Sequence, residues 1–336
     1  MNVSSKCRLA LAGVALFLIS FALTGCLSQD VVLVVEPDGS GQIAVTRVFP
    51  AQLVQMMEMQ RVQMEQAGND ISMDMGFELD DLYYSEEHLR RSAQDFGSGV
   101  TYVNSRPVNR AGTRGAAVLY KFEDINDLRI PTNAMISLMR QMAGEDEMMS
   151  AMEAEFGAVE TIQFVATETE EGLELRILMP SEIKKAAARR DRLIEKLAEE
   201  TEDPTAGPAD GIDPVAPPPG PEAGMGMAHM PGFTGTETPE EMVRMYFKGV
   251  RNRIAVEVRG ELVDTNASHP RDGRPNRFDL FDLDFDRILD GPGADLLVDE
   301  SHMEQEMSDP SQMMGGLYAL PGSVLETESE VIIQFK

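Results

Sequence analysis

Tryptophan is absent from this chain, and only 6% of its residues are aromatic. Sugar sites lean on large amphipathic rings, so a lectin or a carbohydrate-processing cleft is disfavoured. Cysteine is nearly absent too. The two present, Cys7 and Cys26, both lie near the N-terminus. No disulfide can form within residues 27–336, and thiol catalysis and cysteine-based zinc sites are excluded there. A packed core has to supply the stability. Basic residues are few: 29 Lys and Arg stand against 57 Asp and Glu, a net charge of −28. Taken as a whole, such a chain is repelled by nucleic acid and by anionic headgroups. Phosphate-binding loops are missing, with neither GxxxxGK[ST] nor a strand-linked GxGxxG. There is no GxSxG, and the four histidines (His88, His229, His269 and His302) form no HxH or HxxxH pair. Among so many carboxylates an acid–base pair can always be drawn, so drawing one carries no weight.

Long apolar runs are limited to one, Leu9 to Leu23, broken only by Gly13 and Ser20. Lys6 and Arg8 precede it, and Thr24, Gly25 and Cys26 follow. The run suits the apolar region of a secretory leader and is short for a membrane span. Leu23-Thr24-Gly25-Cys26 resembles the lipobox of bacterial lipoproteins. That resemblance implies removal of residues 1–25 by signal peptidase II, and a diacylglyceryl thioether plus an N-acyl chain on Cys26. The alternative is an ordinary leader with a chance cysteine. Two or three acyl chains would hold the protein on a bilayer, since each buried methylene contributes about 0.8 kcal/mol and a single chain holds only marginally. By resemblance to the enterobacterial sorting rule, Asp after the cysteine would mean retention at the inner membrane. Leu27 therefore points to the outer membrane, facing the periplasm. Losing the leader removes Lys6 and Arg8 and no acid, leaving 27 basic against 57 acidic residues, a net of −30.

Beyond the anchor the pattern is hairpin then helix. Asp30–Val35 is β-branched on both faces, as in a strand covered on both sides. A Pro37-Asp-Gly-Ser-Gly41 turn returns it through Ile43–Val48. Helices are expected from Pro50 to Ala67 and from Ser85 to Gln94. A second hairpin pairs Val100–Pro107 with Gly115–Phe122 across Arg110–Arg114. Residues 132–156 read as helix. A third hairpin pairs Thr161–Thr167 with Leu173–Met179. Ser181 is expected to cap a helix to Glu200, with Ile183, Ala187, Ile194 and Leu197 buried and Lys184, Lys185, Arg189 and Arg190 in water. Residues 201–237, rich in Pro and Gly, read as a flexible linker or insertion. Beyond it come a helix at Pro239–Gly249, a fourth hairpin of Arg253–Val258 with Glu261–Thr265 around Arg259-Gly260, a strand at Arg277–Phe285 with Asp286 capping a helical turn, and a last strand at Glu330–Phe335. The fold class is α+β: antiparallel sheets built from successive hairpins, with amphipathic helices packed on one face. The expected divisions are 1–25 leader, 26–200 first part of the ectodomain, 201–237 linker, and 238–336 second part docking on the same sheet.

Asp38-Gly39-Ser40-Gly41 in a hairpin after a lipobox, Tyr120-Lys-Phe-Glu-Asp-Ile-Asn126, and Val263-Asp-Thr-Asn266-Ala resemble a family of uncharacterised bacterial lipoproteins. The resemblance implies an envelope location and an α+β ectodomain. It brings no activity and no catalytic residues. The methionine-rich helices and the proline-rich linker depart from it.

Two clusters invite a metal. Asp279, Asp282, Asp284 and Asp286 are dense enough for Ca²⁺, but the EF-hand spacing fails: counting from Asp282, Arg287 stands where Gly is needed and Gly293 where Glu is needed. On a strand, Asp282 and Asp284 would share one face with Asp286 and form an ordinary solvated face. Met225, Met227, His229 and Met230 offer thioether and imidazole ligands that suit Cu(I). The competing reading is that methionine fills cores and decorates flexible tracts. Asn266-Ala-Ser268 fits a glycosylation sequon but more simply shapes a strand end. No cofactor is expected. The expected function is an envelope lipoprotein acting as a non-enzymatic binding or structural module. Its expected partners are the bilayer through Cys26 and an envelope protein or lipid. A carrier of a hydrophobic ligand is the alternative, and a metal-dependent or hydrolytic enzyme the third reading.

Overall fold

The computed structural model describes residues 28–52, 84–132, 160–202, 251–298 and 316–336, with parts of 54–62 and 238–250. Cys26, the Met225–Met230 cluster, and nearly all of the helix expected over 132–156 lie outside the described residues.

The first hairpin joins β1 (Ser28–Val35) to β2 (Gly41–Phe49), in register from Ser28↔Val48 to Val35↔Gly41. Val31, Leu33 and Val35 are fully buried, while Val32 and Val34 on the other face are half-buried. So β1 is covered completely on one side only. Helical residues within 51–62 follow. Helix α1 (Glu86–Arg91) is capped by Ser85, whose hydroxyl accepts from His88 N.

The second hairpin, β3 (Thr101–Arg110) with β4 (Thr113–Phe122), is tighter than expected. Arg110 pairs directly with Thr113, leaving a two-residue turn in which both Ala111 and Gly112 have positive φ. That is the mirror-image turn geometry favoured by strand twist, normally signalled by Asn-Gly. Strand β3 is a sheet edge. It carries Pro107 and a register shift between Tyr102 and Asn104, two devices that discourage further pairing.

Short β5 (Arg129–Pro131) precedes the third hairpin, β6 (Thr161–Thr169) and β7 (Gly172–Leu178). Helix α2 (Ser181–Glu202) comes next. Its N-terminus is satisfied by Glu160, not by Ser181. The Glu160 carboxylate accepts from Glu182 N at 3.0 Å and from the Ser181 hydroxyl at 2.8 Å. Ile183, Ala186 and Ala187 are buried. Ile194, expected inside, is exposed, and Arg190, expected in water, is buried, donating to Ser323 O and pairing with Asp191.

After residue 250, β8 (Arg251–Val258) and β9 (Leu262–Thr265) do not form the expected hairpin. β8 already has β1 on one side and β11 (Arg274–Asp284) on the other, so no edge remains for β9. The chain changes sheets at Gly260, where φ is +108° and a Cβ would stand 2.3 Å from Lys336 O. β10 (Pro270–Arg271) enters β11 through a two-residue Asp272-Gly273 turn absent from the sequence-based reading. Asp284, not Asp286, caps α3 (Phe285–Leu289) by accepting from Arg287 N. Helix α4 (Gly293–Val298), β12 (Val324–Leu325) and β13 (Glu330–Phe335) complete the chain.

Among the described residues there is an eight-stranded sheet, β10-β11-β8-β1-β2-β4-β3 with β12 also on β11, and a five-stranded sheet, β5-β6-β7-β13-β9. The fold is of α+β type, but the larger sheet is mixed. β1 and β8 run parallel from Gln29↔Asn252 to Val35↔Val258. A connection of more than 200 residues separates these strands, which frees them from the hairpin rule that makes sequence neighbours antiparallel. β1 precedes residues 201–237 and β8 follows them, and β13 likewise pairs with β7 and β9 from either side. Both sheets feed one continuous core, including Leu33, Val256, Phe281, Leu175 and Ile333.

Candidate functional site

The chemistry-bearing residues gather on the outer face of β8 and β11. Strand β8 alternates strictly: Asn252, Ile254, Val256 and Val258 pair in line with core residues of β1, so Arg251, Arg253, Ala255 and Glu257 stand on the opposite face. On β11 a bulge at Leu280 inserts one residue between Asp279 and Phe281. Leu280 and Phe281 are then both fully buried. The same bulge brings Asp279 and Asp282 onto one face, although their spacing of three would split them across a regular strand.

The result is a lattice of arginines and aspartates. The Asp282 side chain is only 4% exposed, so the solvated face expected for it is not what forms. It accepts from Arg251 at both oxygens, 2.8 Å from Nε and 2.7 Å from Nη2, the two-point geometry that suits guanidinium and carboxylate. The Arg287 guanidinium lies 3.8 Å away. Arg253, buried beside it, donates to both Asp30 oxygens at 2.6–2.9 Å. Glu257 faces Arg259, Arg274 and Arg277 at 3.3, 3.8 and 4.0 Å. Asp284 is spent on the α3 cap, and Asp286 accepts from Gly249 N at 2.8 Å.

Bonding is incomplete at one corner. Asp279 Oδ1, Arg277 Nε and Nη2, and Arg271 Nη1 are buried without a hydrogen-bond partner. Burial pushes the Asp279 carboxyl above the usual carboxylate range, against the pull of Arg253. Burial, and then Arg253, pull the Arg277 guanidinium below its usual value. The Asp282 hydrogen bonds raise Arg251 above its own.

A second polar group sits at the end of the core. Arg47 on β2 is 7% exposed, and burial lowers its pKa. Its Nε donates to Gln29 Oε1 at 2.9 Å, and its Nη2 has no partner. Asn252 lies in the same row, with Nδ2 3.4 Å from Thr132 O and Oδ1 unpartnered. Tyr120, four positions along β4 from Ala116, the partner of Arg47, is pushed up to about 12 by burial and donates to Leu89 O.

Of the residues singled out from sequence, Asp279, Asp282, Asp284 and Asp286 are neighbours, but arginines and helix termini occupy three of them. Among the described residues no group of three or more His, Cys, Asp or Glu is placed to hold a metal. His88 lies on α1, and His269 accepts from Asp279 N at its carbonyl while its Nε2 is turned to Leu325 O at 2.9 Å. Sequence reasoning missed Arg251, Arg253, Arg277 and Arg47. The alternation Arg251-x-Arg253-x-x-x-Glu257 was a usable signal for the first two. Arg47 had none, because its burial depends on what covers β2. No protein-family model, no curated protein and no solved structure matches the chain. Among the described residues no helix is long and apolar enough to cross a membrane.

Proposed function

We propose that the chain is a bacterial envelope lipoprotein, held on the bilayer by an acylated Cys26, whose ectodomain is a non-enzymatic binding or structural module. The observation that carries this is how close the first described strand lies to Cys26. Ser28 is already the first residue of β1, and its hydroxyl donates to Gly249 O at 2.9 Å and accepts from Arg251 N at 3.0 Å. Cleavage before Cys26 leaves the sheet whole, whereas a cut a few residues later would destroy its central strand. Leu27 favours the outer membrane, and the resemblance to envelope lipoproteins agrees. Asp282 and Asp284 of β11 are engaged by arginine and by a helix cap, which supports a structural use of them over acid–base work. Mass spectrometry of the N-terminal peptide tests the reading. A diacylglyceryl–acyl mass on Cys26, lost together with membrane fractionation in Cys26→Ser, supports it. An unmodified Cys26 in membrane-purified protein sinks it.

A second reading, a carrier of an anionic lipid, rests on Arg47. The amphipathic helices would cover the core face of the sheets, as the burial of Ile183, Ala186 and Ala187 in α2 suggests. A lipid carboxylate or phosphate beneath them would supply the hydrogen-bond acceptor that Arg47 Nη2 lacks. Native mass spectrometry of protein purified from membranes should show a lipid adduct that disappears in Arg47→Met. A wild-type mass of the acylated chain alone, without a further adduct, removes this reading.

A further inference from the structure

We propose that the end of the larger sheet nearest Cys26 is a lipid-contact surface that recognises anionic headgroups and holds the ectodomain upright. This rests on the anchored reading above. Only Leu27 separates Cys26 from Ser28, a reach of at most about 7 Å. With so short a tether, the end of the sheet where β1 starts lies within headgroup range. The strand register says what else is there. Ser28 pairs with Val48, Val48 with Gly115, and Gly115 with Val108, while Asp284 pairs with Arg251 on the other side. The β3–β4 turn, the end of β2 and the segment entering β8 therefore share the anchor's end.

Charge is divided along the strand direction. Arg110 and Lys248, both exposed at the anchor end, have no ion-pair partner among the described residues. Arg114, Arg251 and Arg287 stand there half-exposed in ion pairs. The far end is acidic. The turn after β1 carries Asp38, and the end of β4 leads to Glu123 and Asp124. Gly260, 3.5 Å from Pro37 by its missing Cβ, brings Glu261 there, and Gly172, packed against Phe335 O, brings Glu170 and Glu171. A chain of net charge −28 would normally avoid an anionic surface. At the tethered end Glu58, Asp282, Asp284 and Asp290 are each in an ion pair with an arginine, leaving Arg110 and Lys248 over, while at the opposite end Asp38, Glu123, Asp124, Glu170, Glu171 and Glu261 outnumber Lys121, Arg259, Arg274 and Lys336. Anionic lipid would attract the tethered end and repel the opposite one, so the strands of the larger sheet should stand off the membrane plane.

The test uses lipidated full-length protein in vesicles of phosphatidylethanolamine and phosphatidylglycerol. Acylation of Cys26 leaves no other thiol, so Asn109→Cys at the anchor end and Glu123→Cys at the far end each accept a single fluorophore. A quencher confined to the bilayer surface reads their height. Several-fold stronger quenching at position 109 than at 123 is expected. It should be lost in Arg110→Glu/Lys248→Glu, on phosphatidylcholine vesicles, or at high salt, which screens headgroup attraction without any mutation. Equal quenching at both positions in wild-type protein that stays on the vesicles overturns the contact surface and leaves the anchor intact. Protein that fails to stay on the vesicles overturns the anchor, and the contact surface with it.

Discussion

Replacing Asp282 with alanine removes the carboxylate that β11 buries against Arg251. The magnitude follows from geometry. The two hydrogen bonds are 2.8 and 2.7 Å long, and the acceptor side chain is 4% exposed. Breaking a wholly buried ion pair costs about 3–5 kcal/mol, mostly for the partner left uncompensated. Arg251, however, is 41% exposed and can turn to water. The cost should therefore fall to about 2–3 kcal/mol. In a chain of this size that lowers Tm by about 3–5 °C. Urea unfolding followed by circular dichroism should show the midpoint fall with the slope unchanged. Pairing Asp282→Leu with Arg251→Met should recover much of the loss, because no buried charge is then stranded. Added Ca²⁺ should leave the wild-type midpoint in place. A loss below about 0.5 kcal/mol for Asp282→Ala, or a calcium-dependent gain that Asp282→Ala abolishes, would refute the ion-pair account.

Gly260→Ala should cost about 2 kcal/mol or more, because φ is +108° and the new methyl would meet Lys336 O at 2.3 Å; unchanged unfolding would mean the sheet change is softer than its geometry implies. Asp279→Asn should stabilise the protein at neutral pH. A carboxyl whose folded pKa is raised opposes folding once ionised, so the gain should shrink as pH falls towards about 4 and be gone below it; a pH-independent effect would contradict this. Arg47→Met should be neutral or stabilising in lipid-free protein, since burial opposes the Arg47 charge and its Nη2 has no hydrogen-bond partner. Tyr120, held near 12, should stay protonated at about pH 11 and ionise only on unfolding, visible as delayed phenolate absorbance that Tyr120→Phe reduces, buried Tyr318 supplying the rest.

The local elements were legible where one sheet face and a turn agree. Asp30–Val48, Thr161–Met179 and Glu330–Phe335 each declare themselves by alternation or turn chemistry, and the structure places strands there. What failed were the long-range decisions. Arg253–Val258 and Glu261–Thr265 look like a hairpin around Arg259-Gly260, yet β8 is taken on both edges by strands far away in sequence. No local pattern announces a parallel partner beyond 200 residues. Ser181 has the chemistry of a cap but loses to Glu160, which reaches in from the preceding strand segment. The aspartates of β11 read as a solvated face because their arginine partners come from other strands and a bulge changes which of them align.

The order in which the chain emerges as it is made meets an awkward topology. β1, nearly all valine and leucine, emerges first but cannot be enclosed until β8 arrives to pair with it from Gln29↔Asn252 onward. The smaller sheet waits longer still, since β13 fills its interior between β7 and β9 and is the final strand to appear. Such non-local closure makes folding slow and leaves sticky edges open meanwhile. A nascent molecule of this protein therefore has to be kept from aggregating until β13 has emerged. Trimming the final seven residues would remove a central plank and not a tail.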